Sequence, residues 1–170
     1  MKLTELFADE IVREGALTRR TLERVPEGRD DWKPHEKSMP MGRLAMMLAG
    51  MPAWLSMMVE KDEFDLNPPG GGSSSFSQEL KTNKELLAAH DKAVEGARMA
   101  LSSTTEQHLL THWRLLVAGN VVADKPRHIM LRDSINHLAH HRGQLTVYLR
   151  LNGVPVPSIY GPSADDHRFD

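Results

Sequence analysis

The stretch Asp62 to Ser77 reads DEFDLNPPGGGSSSFS. Pro, Gly and Ser dominate it, which marks a linker between helices. Its glycine run is not a phosphate-binding loop, because no strand pattern precedes it and no Lys-Ser/Thr pair follows. Its length carries the information. About 16 extended residues reach roughly 50 Å at ~3.3 Å each. A helix of about 19 residues is only ~28 Å long. The linker therefore spans a bundle from end to end, and the helices on either side of it can run parallel. A bundle with one long crossover is an established architecture.

Upstream, Met41 to Val59 reads as a helix with Leu44, Met47, Leu48, Met51, Leu55 and Met58 on one apolar stripe. Pro52 lies inside it, removes a backbone donor and is expected to bend the helix near Leu48. Ser38 and Pro40 stand where a cap and a first-turn proline belong. Before these, Leu3 to Val25 forms a first helix with Leu3, Phe7, Ile11, Thr18, Leu22 and Val25 at helical spacing. Glu14 and Thr18 are the polar members of its stripe. Downstream, Gln78 to about Leu101 is the third helix, capped by Ser77, with Leu80, Leu87, Val94 and Leu101 as its seam. Two readings fit WRLLVAGNVVAD: two short strands around a Gly-Asn turn, or a helix end followed by a loop. The fourth helix starts after Asp124, has Pro126 in its first turn and ends near Leu151, where Gly153 is the expected C′ residue. The expected fold is all-α: one domain over residues 1–170, a four-helix bundle with a long crossover between helices two and three, and a short irregular or hairpin segment before helix four.

Composition excludes several classes of chemistry. Cys is 0, which removes thiol nucleophiles, disulfide scaffolds and Cys-rich zinc sites. Lys+Arg is 21 against Asp+Glu 23, a formal net charge of -2. That balance gives no general attraction to nucleic acid or to an anionic membrane. No run approaches the roughly 20 apolar residues needed to cross a bilayer. A cytoplasmic protein with neither nucleic-acid nor membrane partners is expected.

The dense constellation of reactive groups is NHLAHHRGQ, Asn136 to Gln144. At about 100° per residue, His137 and His141 lie roughly 40° apart on the fourth helix. The expectation is that their shared face points into the core. An i, i+4 pair of histidines lets two imidazoles share one metal, as in HExxH. Leu138 occupies the place of the catalytic glutamate of that motif, so a metalloprotease is excluded. His108 and His112 form a second HxxxH, HLLTH, and His35 lies in a loop; each is a candidate third ligand. His90, His128 and His167 read as exposed residues.

SINHLAHHRGQLTVYLRLNGVPVPSIYGPSADD, Ser134 to Asp166, resembles the last helix and tail of the DinB superfamily. DWKPHEKSMPMGRLAMMLAGMPAW, Asp31 to Trp54, resembles its second-helix region. The likeness covers most of the chain. It implies a bacterial four-helix bundle, usually a homodimer, with zinc or nickel held by one His of the second helix and the HxxxH pair of the fourth. Some relatives transfer low-molecular-weight thiols such as bacillithiol, mycothiol or glutathione. Carried over, the metal ligands are His137 and His141, and the second-helix ligand falls on Met47. A thioether is a poor partner for zinc or nickel. Two functions follow from the resemblance. One is a metal-dependent thiol transferase or hydrolase with a weakened metal site. The other is a metal-free dimeric binding or scaffold protein that uses a Met-lined pocket for a small molecule.

Overall fold

Four long helical limbs form, because each carries one apolar stripe that must be buried. Residues 1–71 and 82–169 are described in this computed structural model. They contain α1 (Leu3–Leu22), α2 (Met41–Gly50), α3 (Ala53–Glu60), β1 (Glu63–Asp65), α4 (Asn83–Ser103), α5 (Glu106–Leu110), β2 (His112–Val117), β3 (Asn120–Pro126) and α6 (Arg127–Leu151). Ile11, Leu22, Leu44, Leu48, Leu101, Leu131 and Leu149 meet in the common core.

The bend at Pro52 is sharper than one kinked helix. α2 and α3 are separate, and their axes differ by 44°. The break falls at the proline and not at Leu48. Met51 N–H still reaches Met47 O at 2.9 Å, and the next donors take tighter i to i−3 bonds, Trp54 to Met51 at 3.0 Å and Leu55 to Pro52 at 3.1 Å. Among the described residues no single helix is long and apolar enough to cross a membrane. The bent pair α2–α3 is, but its Met41, Leu44, Leu48 and Leu55 are core residues.

The third helix begins later than its pattern suggests. Thr82 caps α4 by accepting from Glu85 N–H at 3.2 Å, and Glu85 accepts from Thr82 N–H at 3.0 Å. Ser77, Leu80 and part of the long connection lie outside the described residues. The buried seam runs Leu86, His90, Ala97 and Leu101, one residue off the expected heptad at its start. His90 is therefore a core residue and not an exposed one. Its Nε2–H donates to Gly15 O at 2.9 Å, and burial pushes its imidazole below the ordinary value. At the end of α6, Gly153 adopts φ 70°, Gly153 N–H bonds Arg150 O at 3.0 Å and Val154 N–H bonds Leu149 O at 3.0 Å. That is the expected glycine stop.

The expectation of an all-α fold is overturned. A three-stranded sheet of order β1-β2-β3 joins the helices. Of the two readings of residues 113–123, the hairpin is the one adopted, although its turn is Ala118-Gly119, both at positive φ. β1 lies inside the stretch read as linker and pairs parallel with β2, Phe64 opposite Leu115. Asp65 fastens the two together, accepting from Ala118 N–H at 3.0 Å and Gly119 N–H at 2.7 Å. A three-residue strand held by a partner some fifty positions away has no local pattern to read.

Two buried arginines tie these parts together. Arg142 is matched by Glu14 at 2.7 Å, and Thr18 accepts from it at 3.2 Å. The tail returns to this pair, Tyr160 O–H donating to Glu14 at 2.7 Å. Glu14 and Thr18 are thereby explained as the buried partners of a cation on α6. Arg127 opens α6 and spends all five donors. Nε donates to Met58 O at 2.9 Å, one Nη to His112 O at 2.8 Å and to Thr111 Oγ1, the other to Lys61 O at 3.1 Å and to Asp62. It joins the end of α3, the approach to β1 and the start of β2.

Arg127→Met is expected to lower unfolding stability by about 3 kcal/mol or more, because several backbone carbonyls lose their donor. Asp62→Asn is expected to lose less than about 1 kcal/mol, since Asp62 is 84% exposed. Urea titration of both variants measures the contrast. His90 supplies a pH signature. Its folded pKa is lowered, so its contribution is complete above the unfolded value of about 6.5 and declines as pH falls through it. The drop in Tm from pH 7 to pH 5 is expected to be smaller in His90→Gln than in the wild type.

Candidate functional site

Where α3, α6 and the sheet approach one another they leave a cavity of about 310 Å³. α3 contributes Trp54, Met57 and Met58; the β1 region gives Phe64 and Leu66; β2 gives Trp113 and Leu115. α6 closes it with Met130, Asp133, Ser134 and His137. Spacing explains the last group: residues 130, 133, 134 and 137 share one helical face. The walls are otherwise apolar. Asp133 is paired with Lys125 at 3.1 Å. The Ser134 hydroxyl is buried and reaches the thioether of Met58 at 3.9 Å, a weak acceptor. A larger groove of about 680 Å³ lies between the start of α1 and α5. Its lining shares no residue with the histidine cluster.

His137 and His141 do lie together. Their Nε2 atoms are 2.7 Å apart and their ring centroids 4.4 Å. They do not point into the core, however. His137 is exposed and His141 half-buried. The buried face of α6 is centred on Leu131, Leu138, Leu145 and Leu149, and His137 lies about 100° round the helix from Leu138. The pair therefore sits on the flank, at the mouth of the cavity. Trp54 packs against His137 with centroids 5.7 Å apart.

A chain of hydrogen bonds sets the tautomers. Gln144 Oε1 can only accept, so His141 Nδ1–H donates to it at 2.7 Å. The Gln144 amide N–H donates to His140 Nε2 at 3.1 Å. With Nδ1 as its donor, His141 accepts at Nε2 from His137 Nε2–H at 2.7 Å. Burial, then repulsion from His141 and His140, push His137 below its ordinary imidazole value. The His137 ring is thus pushed toward its neutral form.

Two imidazoles with converging Nε2 atoms are a start on a metal site, but among the described residues the donor set stops there. Among the described residues no group of three or more His, Cys, Asp or Glu is placed to hold a metal ion. Catalytic zinc takes three protein ligands, and two nitrogens on one tetrahedral zinc stand roughly 3.3 Å apart. The observed 2.7 Å is a hydrogen bond. The candidate third ligands lie elsewhere. His108 Nε2 bonds Val59 O at 2.8 Å, His112 Nδ1 bonds Asp124 at 2.6 Å, and His35 Nδ1 accepts from Lys37 N–H at 3.2 Å. Met47 sits on α2, half-buried against the core. The residues present do not fit a three-ligand divalent centre.

Sequence reasoning put His137 and His141 side by side on one helix, but the pocket's methionines are Met57, Met58 and Met130, and Met47 is not among them. It missed Trp54, Trp113, Phe64 and Ser134. One signal was available: the chain has only 3 Trp, and two of them, Trp54 and Trp113, line this cavity.

The sequence profile of the DinB family matches residues 1–168. The crystal structure of a DinB-like protein from Bacillus cereus is similar, with a TM-score of 0.70 and 24% identity over 92% of this chain and 97% of that one. A DinB-like protein of Bacillus subtilis, YjoA, gives a TM-score of 0.65 and 16% identity over 87% of this chain and 92% of its own. At these identities the likeness shows the fold alone. YrdA of Bacillus subtilis, named as an uncharacterized protein, is 46% identical over 41 residues, 24% of this chain and 25% of that protein.

The tautomer assignment has a direct check. Nitrogen-15 imidazole spectra at pH 7.5 are expected to show His141 protonated on Nδ1 alone, and Gln144→Leu is expected to release that preference.

Proposed function

Since this chain belongs to the DinB family, we propose that it works as a small-molecule binding protein whose site is the apolar cavity between α3, α6 and the sheet, and that binding there needs no metal. One observation carries this reading. A cavity of about 310 Å³, within the size range of ligand sites, opens beside a histidine pair that lacks a third donor. Among the described residues its lining contains no Lys or Arg, so the carboxylates of a peptide thiol find no cation among them. His137 and Ser134 supply polar contacts at one edge, and the remaining walls supply dispersion and burial.

The neutral fluorescent probe N-phenyl-1-naphthylamine tests this on chelator-treated protein. The expected result is a fluorescence rise that saturates near one equivalent. Leu115→Trp and Met57→Trp each fill the cavity, and each is expected to weaken binding about tenfold or more. A rise that does not saturate, or that both variants leave unchanged, contradicts the reading.

The converging Nε2 atoms support a separate, weaker statement about metal. His137 and His141 alone are expected to retain clearly less than one equivalent of zinc or nickel in purified protein, and His141→Ala to retain less again. Elemental analysis decides this. A tight stoichiometric metal in the wild type contradicts it.

A further inference from the structure

The cavity walls say more than that something apolar fits. We propose that the ligand is an uncharged, flat aromatic molecule of about two fused rings carrying one hydroxyl or carbonyl group, and that Ser134 recognises that group. This rests on the reading of the cavity as a ligand site and names the class of ligand.

Size comes first. A dry apolar cavity of about 150 Å³ holds benzene, and this one is about 310 Å³. Shape and electronic character follow from the walls. Aromatic residues are 5% of the chain, yet Trp54, Phe64 and Trp113 all border this space, together with the thioethers of Met57, Met58 and Met130. Ring faces and edges attract other aromatic rings beyond simple area burial. Thioether sulfur adds to this at ring edges. A saturated molecule of the same size gains neither.

Charge is set by the rim. Among the described residues the cavity lining has no cationic side chain, and Asp133 stands at its α6 edge, tied to Lys125 at 3.1 Å. An anionic ligand would lose its hydration with no cation in the described lining to replace it. The single polar substituent follows from Ser134. Its hydroxyl is buried against the cavity, and its contact is a 3.9 Å approach to the Met58 thioether. A ligand hydroxyl or carbonyl offers it a far better partner.

Competition against bound N-phenyl-1-naphthylamine in metal-stripped full-length protein tests each part. Naphthalene is expected to displace the probe about fivefold better than decalin. 2-Naphthol is expected to compete about threefold or more better than naphthalene, and 2-naphthoate about tenfold worse than 2-naphthol. Ser134→Ala is expected to abolish the advantage of 2-naphthol while leaving naphthalene unchanged. Decalin matching naphthalene would overturn the aromatic assignment. Naphthoate matching naphthol would overturn the uncharged one, and an undiminished preference for naphthol in Ser134→Ala would remove Ser134 from recognition. Failure of the probe itself to bind would sink the cavity reading instead, so the two failures are told apart.

Discussion

The guanidinium of Arg127 is the constraint on which the architecture of this molecule depends. One buried cation at the first position of α6 collects carbonyls from Met58, Lys61 and His112 and side-chain oxygens from Thr111 and Asp62. A cation at a helix N-terminus is unfavourable toward the helix dipole. Here the surrounding carbonyls and Asp62 outweigh that penalty, because charge-assisted hydrogen bonds are about twice as strong as neutral ones. The consequence is positional. α3 ends, β1 approaches and β2 begins around one group, so the sheet is held beside α6. Without that placement the space between Trp54, Trp113 and Met130 would not be enclosed.

The second buried arginine acts about four turns further along the same helix. Arg142 meets Glu14 from α1 and Tyr160 from the tail. α6 is thereby gripped on its inner face by ion pairs and leucines, while its flank is left for polar work. The histidine cluster lies on that flank. Its rings are ordered by one another, by Gln144 and, at His137, by the packing of Trp54. A pair arranged this way shares one Nε2–H···Nε2 hydrogen bond, and among the described residues it offers two nitrogen ligands where a catalytic divalent ion takes three. The absence of a third donor among the described residues points the same way. What the site retains is its cavity.

Much of this was legible in the residues themselves, for identifiable reasons. Helix stripes are local and periodic, so α1, α6 and the α2–α3 limb could be read from spacing, and Pro52 and Gly153 acted where backbone chemistry requires. Glu14 and Thr18 stood out as polar residues on an apolar stripe, though nothing in sequence named Arg142 as their partner. β1 could not be read, because three residues paired with a strand some fifty positions away carry no period. The inward orientation of the histidines was misjudged for a similar reason. Their mutual spacing is a property of one helix, but the direction of the core is set by three others. His90 took a core place for want of an apolar residue there, a choice made by α1 through Gly15 O. The cavity itself assembles from α3, β1, β2 and α6, and no single segment announces it.

The most direct measurement is of the methionine methyl groups. Metal-stripped protein carrying carbon-13 methyl methionine, titrated with naphthalene, is expected to show saturable shifts at Met57, Met58 and Met130, with Met41 and Met51 in the core of the α2 limb unmoved. Absence of shifts at those three methyls, or shifts spread evenly over all the methionines, would contradict the account.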